Sequence, residues 1–369
     1  MTEQTKRTVP LIAGEPAPSF RAPALQGNPN YVFNTSAGRP ILMLFFGSAG
    51  NPVCRAALDL AIAHRALFDD VGACFFGITI DPADAAQARI APQIPGFRFL
   101  LDYDRAASLA YGAIPDENDP ASYRPHWLVL DLTLQVAGSY VIGEGQRAIE
   151  HLMRLKAEPA DDLWAPVLQV PRIFEPEVCR TLISLYETNG GAESGFMREM
   201  DGRTVYMTDA NHKRRSDYMI EDEPLRRGLV ARIHARLVPR LHHAFQYRAT
   251  RIERHIVACY DGDSGGYFRP HRDNTTKGTA HRRFAVTINL NAEDYDGGEL
   301  RFPEYGPRAY RAPTGGAIVF SCSMLHEALP VTRGRRYAYL PFLYDDEGAK
   351  LREANSIYLG DGVQPYRAG

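Results

Sequence analysis

Two rhythms of apolar and polar residues divide this chain. In its first part, short continuous apolar runs alternate with a helical spacing. ILMLFFG (41–47) and ACFFGITID (73–81) run with little or no polar interruption, the pattern of strands buried on both faces. Between them, PVCRAALDLAIAHRALFDD spaces its apolar residues along one helix face, with Asn51 as N-cap and Pro52 at the first helical position. Strand, helix, strand predicts the βαβ unit of a parallel sheet. FRFLLD (97–102) and HWLVLDLTLQVAGSYV (126–141) add further strands, the last pair as a hairpin, and 146–156 closes with an amphipathic helix.

The second part moves differently. AEPADDLWAPVLQV (157–170) reads as a linker turning into a strand, and PEVCRTLISLYETN (176–189) as a helix with Leu182, Leu185 and Tyr186 on one face. Residues 190–222 carry glycine, many charges and little periodicity. The basic run HKRR (212–215) lies among acidic residues and reads as a solvated loop rather than a nucleic-acid patch. PLRRGLVARIHARLVPRLHHAF (224–245) predicts one or two helices, whose His234, His242 and His243 lack a carboxylate at metal-ligand spacing and read as structural or surface residues. From 251 the rhythm shortens to IERHIVACY, RFAVTINLN, GELRFPEY, GAIVFSC and RYAYLPFLY, separated by Gly/Pro turns. That spacing predicts an all-β sandwich or barrel. The expected boundaries are 1–157 and 165–349 for the two domains, with 350–369 a C-terminal tail packed on the surface or disordered.

Composition sharpens this in a few places. A chain of 369 residues exceeds what one core usually holds, so two domains are expected. A net charge of -2 gives no global field for nucleic acid or an anionic membrane, so neither is expected as a partner. No apolar run approaches the roughly 20 residues needed to cross a bilayer. The opening segment, MTEQTKRTVPLIAGEPAPSF, lacks the apolar centre of a signal peptide. Five scattered cysteines (54, 74, 179, 259, 322) form no CxxC pair, which points to a reducing, cytoplasmic setting.

The densest chemistry lies in IVACYDGDSGGYFRPHRD (256–273). Residues i and i+2 of an extended chain share a face, so His271 and Asp273 can offer a nitrogen and an oxygen to one ion. His326 follows in SMLHEALPV, and Arg336 ten residues later. Two histidines and one carboxylate make the facial triad of non-haem Fe(II) oxygenases. Arg336 adds a permanent forked cation suited to a carboxylate.

On these residues, 165–345 resembles the Fe(II)/2-oxoglutarate dioxygenases of the prolyl 4-hydroxylase type. The order Tyr260, Tyr267, His271-x-Asp273, Leu290-Asn291, Gly297-Gly298-Glu299, Phe302-Pro303, Gly315, Phe320, His326, Arg336 follows that family. The resemblance implies a double-stranded β-helix, or jelly roll, with supporting helices and a cover over the site within 190–222. It also implies Fe(II) on His271, Asp273 and His326, and 2-oxoglutarate held by Tyr260 and Arg336, with O2 as oxidant and ascorbate as accompanying reductant. Family spacing selects Arg336 over the adjacent Arg335. The substrate it implies is a small molecule or a protein side chain.

The first part resembles the thioredoxin fold, and within it the peroxiredoxins. GEPAPSF matches their opening segment, FFGSAGNPVC the place of their peroxidatic loop, and Arg124 the arginine that favours a thiolate. Cys54 falls at the third residue of the expected helix, where free N–H groups favour a thiolate. Gly47 and Asn51 replace the family's proline and threonine, and no resolving cysteine is evident, since Cys74 falls inside an expected buried strand, so a buried or idle Cys54 in a degenerate domain is an equal expectation. The leading expectation is therefore a 2-oxoglutarate-dependent hydroxylase with a redox-type accessory domain. The alternatives are a thiol peroxidase acting through Cys54, with the barrel in support, and a non-catalytic binding or scaffold protein. A homo-oligomer is left open.

Overall fold

A computed structural model describes residues 7–116, 119, 122–158, 162–360 and 363. The start of the expected lead-in, positions 159–161 of the expected linker and the end of the expected tail lie outside the described residues. The chain divides at Asp162/Leu163 into two compact units, with Pro303–Gly306 counted in the first.

In the first unit, β1 (Ile41–Gly47) is buried along its whole length, as a strand covered on both faces must be. It pairs in parallel with β2 (Cys74–Thr79), which pairs in parallel with β3 (Phe97–Leu101). On its other edge β1 pairs antiparallel with β4 (His126–Leu130), which turns back into β5 (Val136–Val141). The sheet order β3-β2-β1-β4-β5 is thus a βαβ unit extended by a hairpin. Helix α1 (Pro52–Ala63) begins as its sequence signals: the Asn51 Oδ1 accepts hydrogen bonds from the N–H groups of Val53 and Cys54 at 2.9 and 3.3 Å. Leu58 and Ala61 of α1, with Ile149 and Leu152 of α2 (Gly145–Ala157), pack on Leu42, Leu44 and Trp127. Each fully buried leucine or isoleucine there contributes roughly 1.5–3 kcal/mol. This is the expected thioredoxin-like α/β unit.

The second unit is built around two sheets. Strand β6 (Ile256–Asp261) sits inside the larger one, and its period-two alternation sorts its side chains. Val257 and Cys259 pack outward against α3 (Pro176–Asn189), α4 (Glu223–Arg236) and α5 (Val238–Phe245), through Leu182, Leu229, Ile233 and Leu241. Ile256, Ala258 and Tyr260 join the other cluster, with Phe268, Tyr295 and Ala328. The neighbouring strand, β9 (Arg335–Tyr339), obeys the same rule, sending Tyr337 and Tyr339 to the helices and Ala338 to the inner cluster. The smaller sheet carries β7 (Tyr267–His271) paired antiparallel with β8 (His326–Ala328). These are the two layers of the jelly roll, with α3, α4 and α5 as its supporting helices. His234, His242 and His243 are exposed on those helices.

Two segments differ from the sequence reading. Residues 190–222 are not irregular: Phe196–Met200 and Arg203–Met207 form a hairpin, and Lys213–Arg214 and Ser216–Met219 are strands of the smaller and larger sheet. Polar residues, Thr204, Lys213 and Arg215, are among those buried there, so no apolar period marks them. Beyond the last strand, Asp346–Ala354 is a helix capped by the Asp345 carboxylate, followed by a 3-10 turn over Asn355–Tyr358, where a tail was expected.

Candidate metal and co-substrate site

The register of β7 against β8 places His271 directly opposite His326, across a bulge that follows Phe268. Asp273 lies just beyond β7, its backbone N–H donating to the Cys322 carbonyl at 3.0 Å. The carboxylate therefore faces both rings: His271 Nε2 is 3.6 Å from one Asp273 oxygen and His326 Nε2 is 3.4 Å from the other. One ligand atom from each of the three lies within 4.8 Å of the others. Each ring's Nδ1 meets a carbonyl two residues earlier, Arg269 at 2.8 Å for His271 and Met324 at 3.1 Å for His326. Such a contact holds the proton on Nδ1 and leaves the Nε2 lone pair for an ion. Burial, reinforced by His326, pushes the His271 pKa well below its ordinary value, so that ring stays neutral. Phe268 stacks on His271 at 3.5 Å and Phe320 packs on His326 at 4.5 Å, closing the apolar side of the cluster.

Arg336 enters the same cavity from β9, opposite Tyr260 on β6. Its guanidinium carbon lies 4.9 Å from the Tyr260 ring centre. The residue is 2% exposed, yet its Nε and Nη1 have no hydrogen-bond partner. Arg335 points the other way, to Asp261 at 3.0 Å and Glu187 at 3.6 Å at the surface. Gly298, at φ 72°, makes room for the buried arginine: a Cβ there would meet Arg336 Cδ at 3.0 Å and Val331 Cγ2 at 2.8 Å. The donor set N, N, O with an orphaned guanidinium in one cavity fits a divalent metal and a carboxylate-bearing co-substrate.

The run 212–215 is corrected by the structure. Lys213 is 4% and Arg215 is 7% exposed, whereas Arg214 between them is exposed. Arg215 forms a two-pronged pair with Asp217, both bonds 2.7 Å, and donates to the Tyr260 hydroxyl at 3.3 Å. Lys213 Nζ donates to Ser194 Oγ at 2.7 Å and to the Gly195 carbonyl at 2.6 Å. Alternate basic residues in KRRSD were the signal of a strand with a cationic inner face. Arg254, which also lines the cavity, was missed for want of any motif.

Cys54 is buried, and burial together with the Asp84 carboxylate raises its thiol pKa, against the expected thiolate. Arg124 instead turns to the Thr8 carbonyl at 3.2 Å. The Tyr123 ring covers Gly47, where a Cβ would come within 2.8 Å of it. Cys74 is buried in β2 with its pKa pushed up to about 12, chiefly by desolvation. Native Cys54 should therefore be alkylated by iodoacetamide near neutral pH more slowly than the same residue in urea-unfolded chain, as read by mass spectrometry. Faster alkylation of the folded protein would contradict this assignment.

Comparison with known proteins agrees with both units. The 2OG-Fe(II) oxygenase superfamily matches residues 255–344 and the AhpC/TSA family residues 13–143. A PKHD-type hydroxylase of Paracoccus denitrificans is 30% identical over 174 residues, covering 42% of this chain and 75% of that protein. A PKHD-type hydroxylase of Synechococcus sp. is 38% identical over 89 residues, covering 22% of this chain and 39% of that relative's length. A solved prolyl hydroxylase from Trichoplax adhaerens, in complex with a hypoxia inducible factor peptide fragment, is 18% identical with a TM-score of 0.41, covering 50% of this chain and 86% of that one. Among the described residues no helix is long and apolar enough to cross a membrane.

Proposed function

Because this chain belongs to the 2OG-Fe(II) oxygenase superfamily, we propose that its second unit is an Fe(II)- and 2-oxoglutarate-dependent hydroxylase of a small molecule or a protein side chain. His271, Asp273 and His326 would hold the metal, and Arg336 with Tyr260 the distal carboxylate of 2-oxoglutarate. The observation that carries this reading is Arg336, a buried guanidinium with two partnerless nitrogens beside three ligand-type side chains. An uncompensated buried charge costs several kcal/mol, and a site that retains one is built to receive an anion.

Fe(II), when bound, supplies oxygen activation coupled to oxidative decarboxylation of 2-oxoglutarate to succinate and carbon dioxide. The chain's own part is placement. The Arg269 and Met324 carbonyls fix the tautomers of the two histidines. Phe268 and Phe320 keep water from their faces. Arg336 anchors the far end of the co-substrate, so that its keto acid end is directed at the triad. The first unit acts as an accessory domain, and five buried free cysteines support a reducing, cytoplasmic setting.

Purified protein given Fe(II), ascorbate and 2-oxoglutarate should form succinate, and a cell extract incubated with it should yield products one oxygen heavier. Succinate formation that is indifferent to Fe(II), or absent from metal-loaded protein, would contradict the reading.

A further inference from the structure

The cavity around the triad holds more positive charge than the co-substrate accounts for. Arg215 is matched by Asp217 and Arg282 by Glu253, at 2.7 Å each. Asp273 is the remaining carboxylate there, and it belongs to the metal. In and beside the cavity, three cations have no carboxylate within ion-pair distance among the described residues: Arg336, Lys213 and Arg254, with Asp217 and Asp273 acting on the last two only at longer range. Lys213 is satisfied by a hydroxyl and a carbonyl, both neutral. Arg254 donates only to the Leu340 carbonyl, at 3.1 and 3.0 Å, and lies over the Phe342 ring at 4.5 Å, with Arg282 4.1 Å from the same ring.

Arg254 lines the cavity together with Phe342, Arg336 and the triad. Burial, then the neighbouring Arg215 charge, pushes its pKa down to about 10, and the Asp217 and Asp273 carboxylates offset this only in part. One distal carboxylate satisfies Arg336, and Asp273 with the keto-acid carboxylate would balance the metal's two charges, so the cation at Arg254 stays unmatched. We propose that the substrate to be hydroxylated carries a carboxylate, which pairs with Arg254 when it enters the cavity. The inference rests on the dioxygenase reading above and names its substrate class. An anionic group so placed would gain a charge-assisted hydrogen bond and relieve the field on Arg254 together. A neutral substrate would leave the guanidinium as it stands. The pairing would also set the distance between the charged group and the carbon presented to the metal, which is a source of selectivity.

The test uses full-length protein loaded with Mn(II), which binds such a donor set without turnover, and saturated with 2-oxoglutarate. Acetate, acetamide and sodium chloride at matched ionic strength are titrated while thermal stability is read. Acetate should raise the melting temperature saturably and acetamide should not. Arg254→Met should lose that response or need at least about ten times more acetate, the value of one charge-assisted contact, and Arg254→Lys should restore part of it. Equal effects of acetate and acetamide, or a wild-type response from Arg254→Met, would overturn the proposal. So would loss of 2-oxoglutarate stabilisation in Arg254→Met, because Arg254 would then be the co-substrate's partner. If 2-oxoglutarate fails to stabilise the wild-type Mn(II) protein, the dioxygenase reading fails and this inference with it. Free L-proline and a capped Pro-Asp dipeptide, titrated in parallel, separate a main-chain carboxylate from a side-chain one; stabilisation by either supports the proposal.

Discussion

Asp273→Ala eliminates Fe(II)-dependent succinate formation while the protein stays folded. Asp273 is the one carboxylate of the triad, and its two oxygens face the two imidazoles at 3.6 and 3.4 Å. Without it the ion meets two neutral nitrogens and no compensating charge. The loss should exceed the roughly 10–100-fold that removal of an outer hydrogen-bond partner costs a metal site. The fold should survive because the carboxylate's nearest partners are those imidazoles, and the cations it acts on at longer range, Lys213, Arg254 and Arg282, keep their own hydrogen bonds. The Arg282 contact is to the Asp273 backbone carbonyl, at 3.4 Å, which the substitution retains. Metal stoichiometry and succinate measured on the same preparation check this. Near-normal turnover by Asp273→Ala would mean that the ion lies elsewhere.

Arg336 carries the second large effect, and it has two opposite signs. Arg336→Lys keeps a charge but loses the planar fork, so affinity for 2-oxoglutarate should fall. One charge-assisted contact is worth roughly 1.5–3 kcal/mol, or about tenfold to a hundredfold in dissociation constant. Arg336→Met should bind 2-oxoglutarate more weakly still, yet melt at a higher temperature than wild type without ligand, because it removes a buried charge whose Nε and Nη1 lack a hydrogen-bond partner. Arg335→Lys should change neither quantity appreciably, since that side chain serves surface acids. Calorimetric titration and ligand-free thermal melts read the two effects separately. A larger binding loss in Arg335→Lys than in Arg336→Lys would reverse the strand register.

Much of this was legible wherever one physical signal dominated. The continuous apolar run 41–47 and the Asn51-Pro52 helix start led directly to β1 and α1, because burial on both faces and capping each leave a plain mark. The His-x-Asp spacing and the distant His326 could be read because an ion demands particular donors, whatever the surrounding sequence. The inner face of 212–217 could not. A buried lysine and arginine look like solvated charges until folding brings the Ser194 hydroxyl to Lys213 and buries Arg215 with its near neighbour Asp217. Arg254 belongs to no motif, and only the fold brings it to the cavity and to the Leu340 carbonyl. Cys54 was open to two readings: its place in the first turn of a helix argues for a thiolate, whereas burial and Asp84 act in the opposite direction, toward an idle thiol.

A crystal structure of the protein with Mn(II) and 2-oxoglutarate tests the central claim most directly. The account predicts one ion bound by His271, Asp273 and His326, chelated by the keto acid end of 2-oxoglutarate, with the distal carboxylate on Arg336. An ion held by other residues, or a distal carboxylate resting on Arg254 with Arg336 still unpartnered, would contradict it.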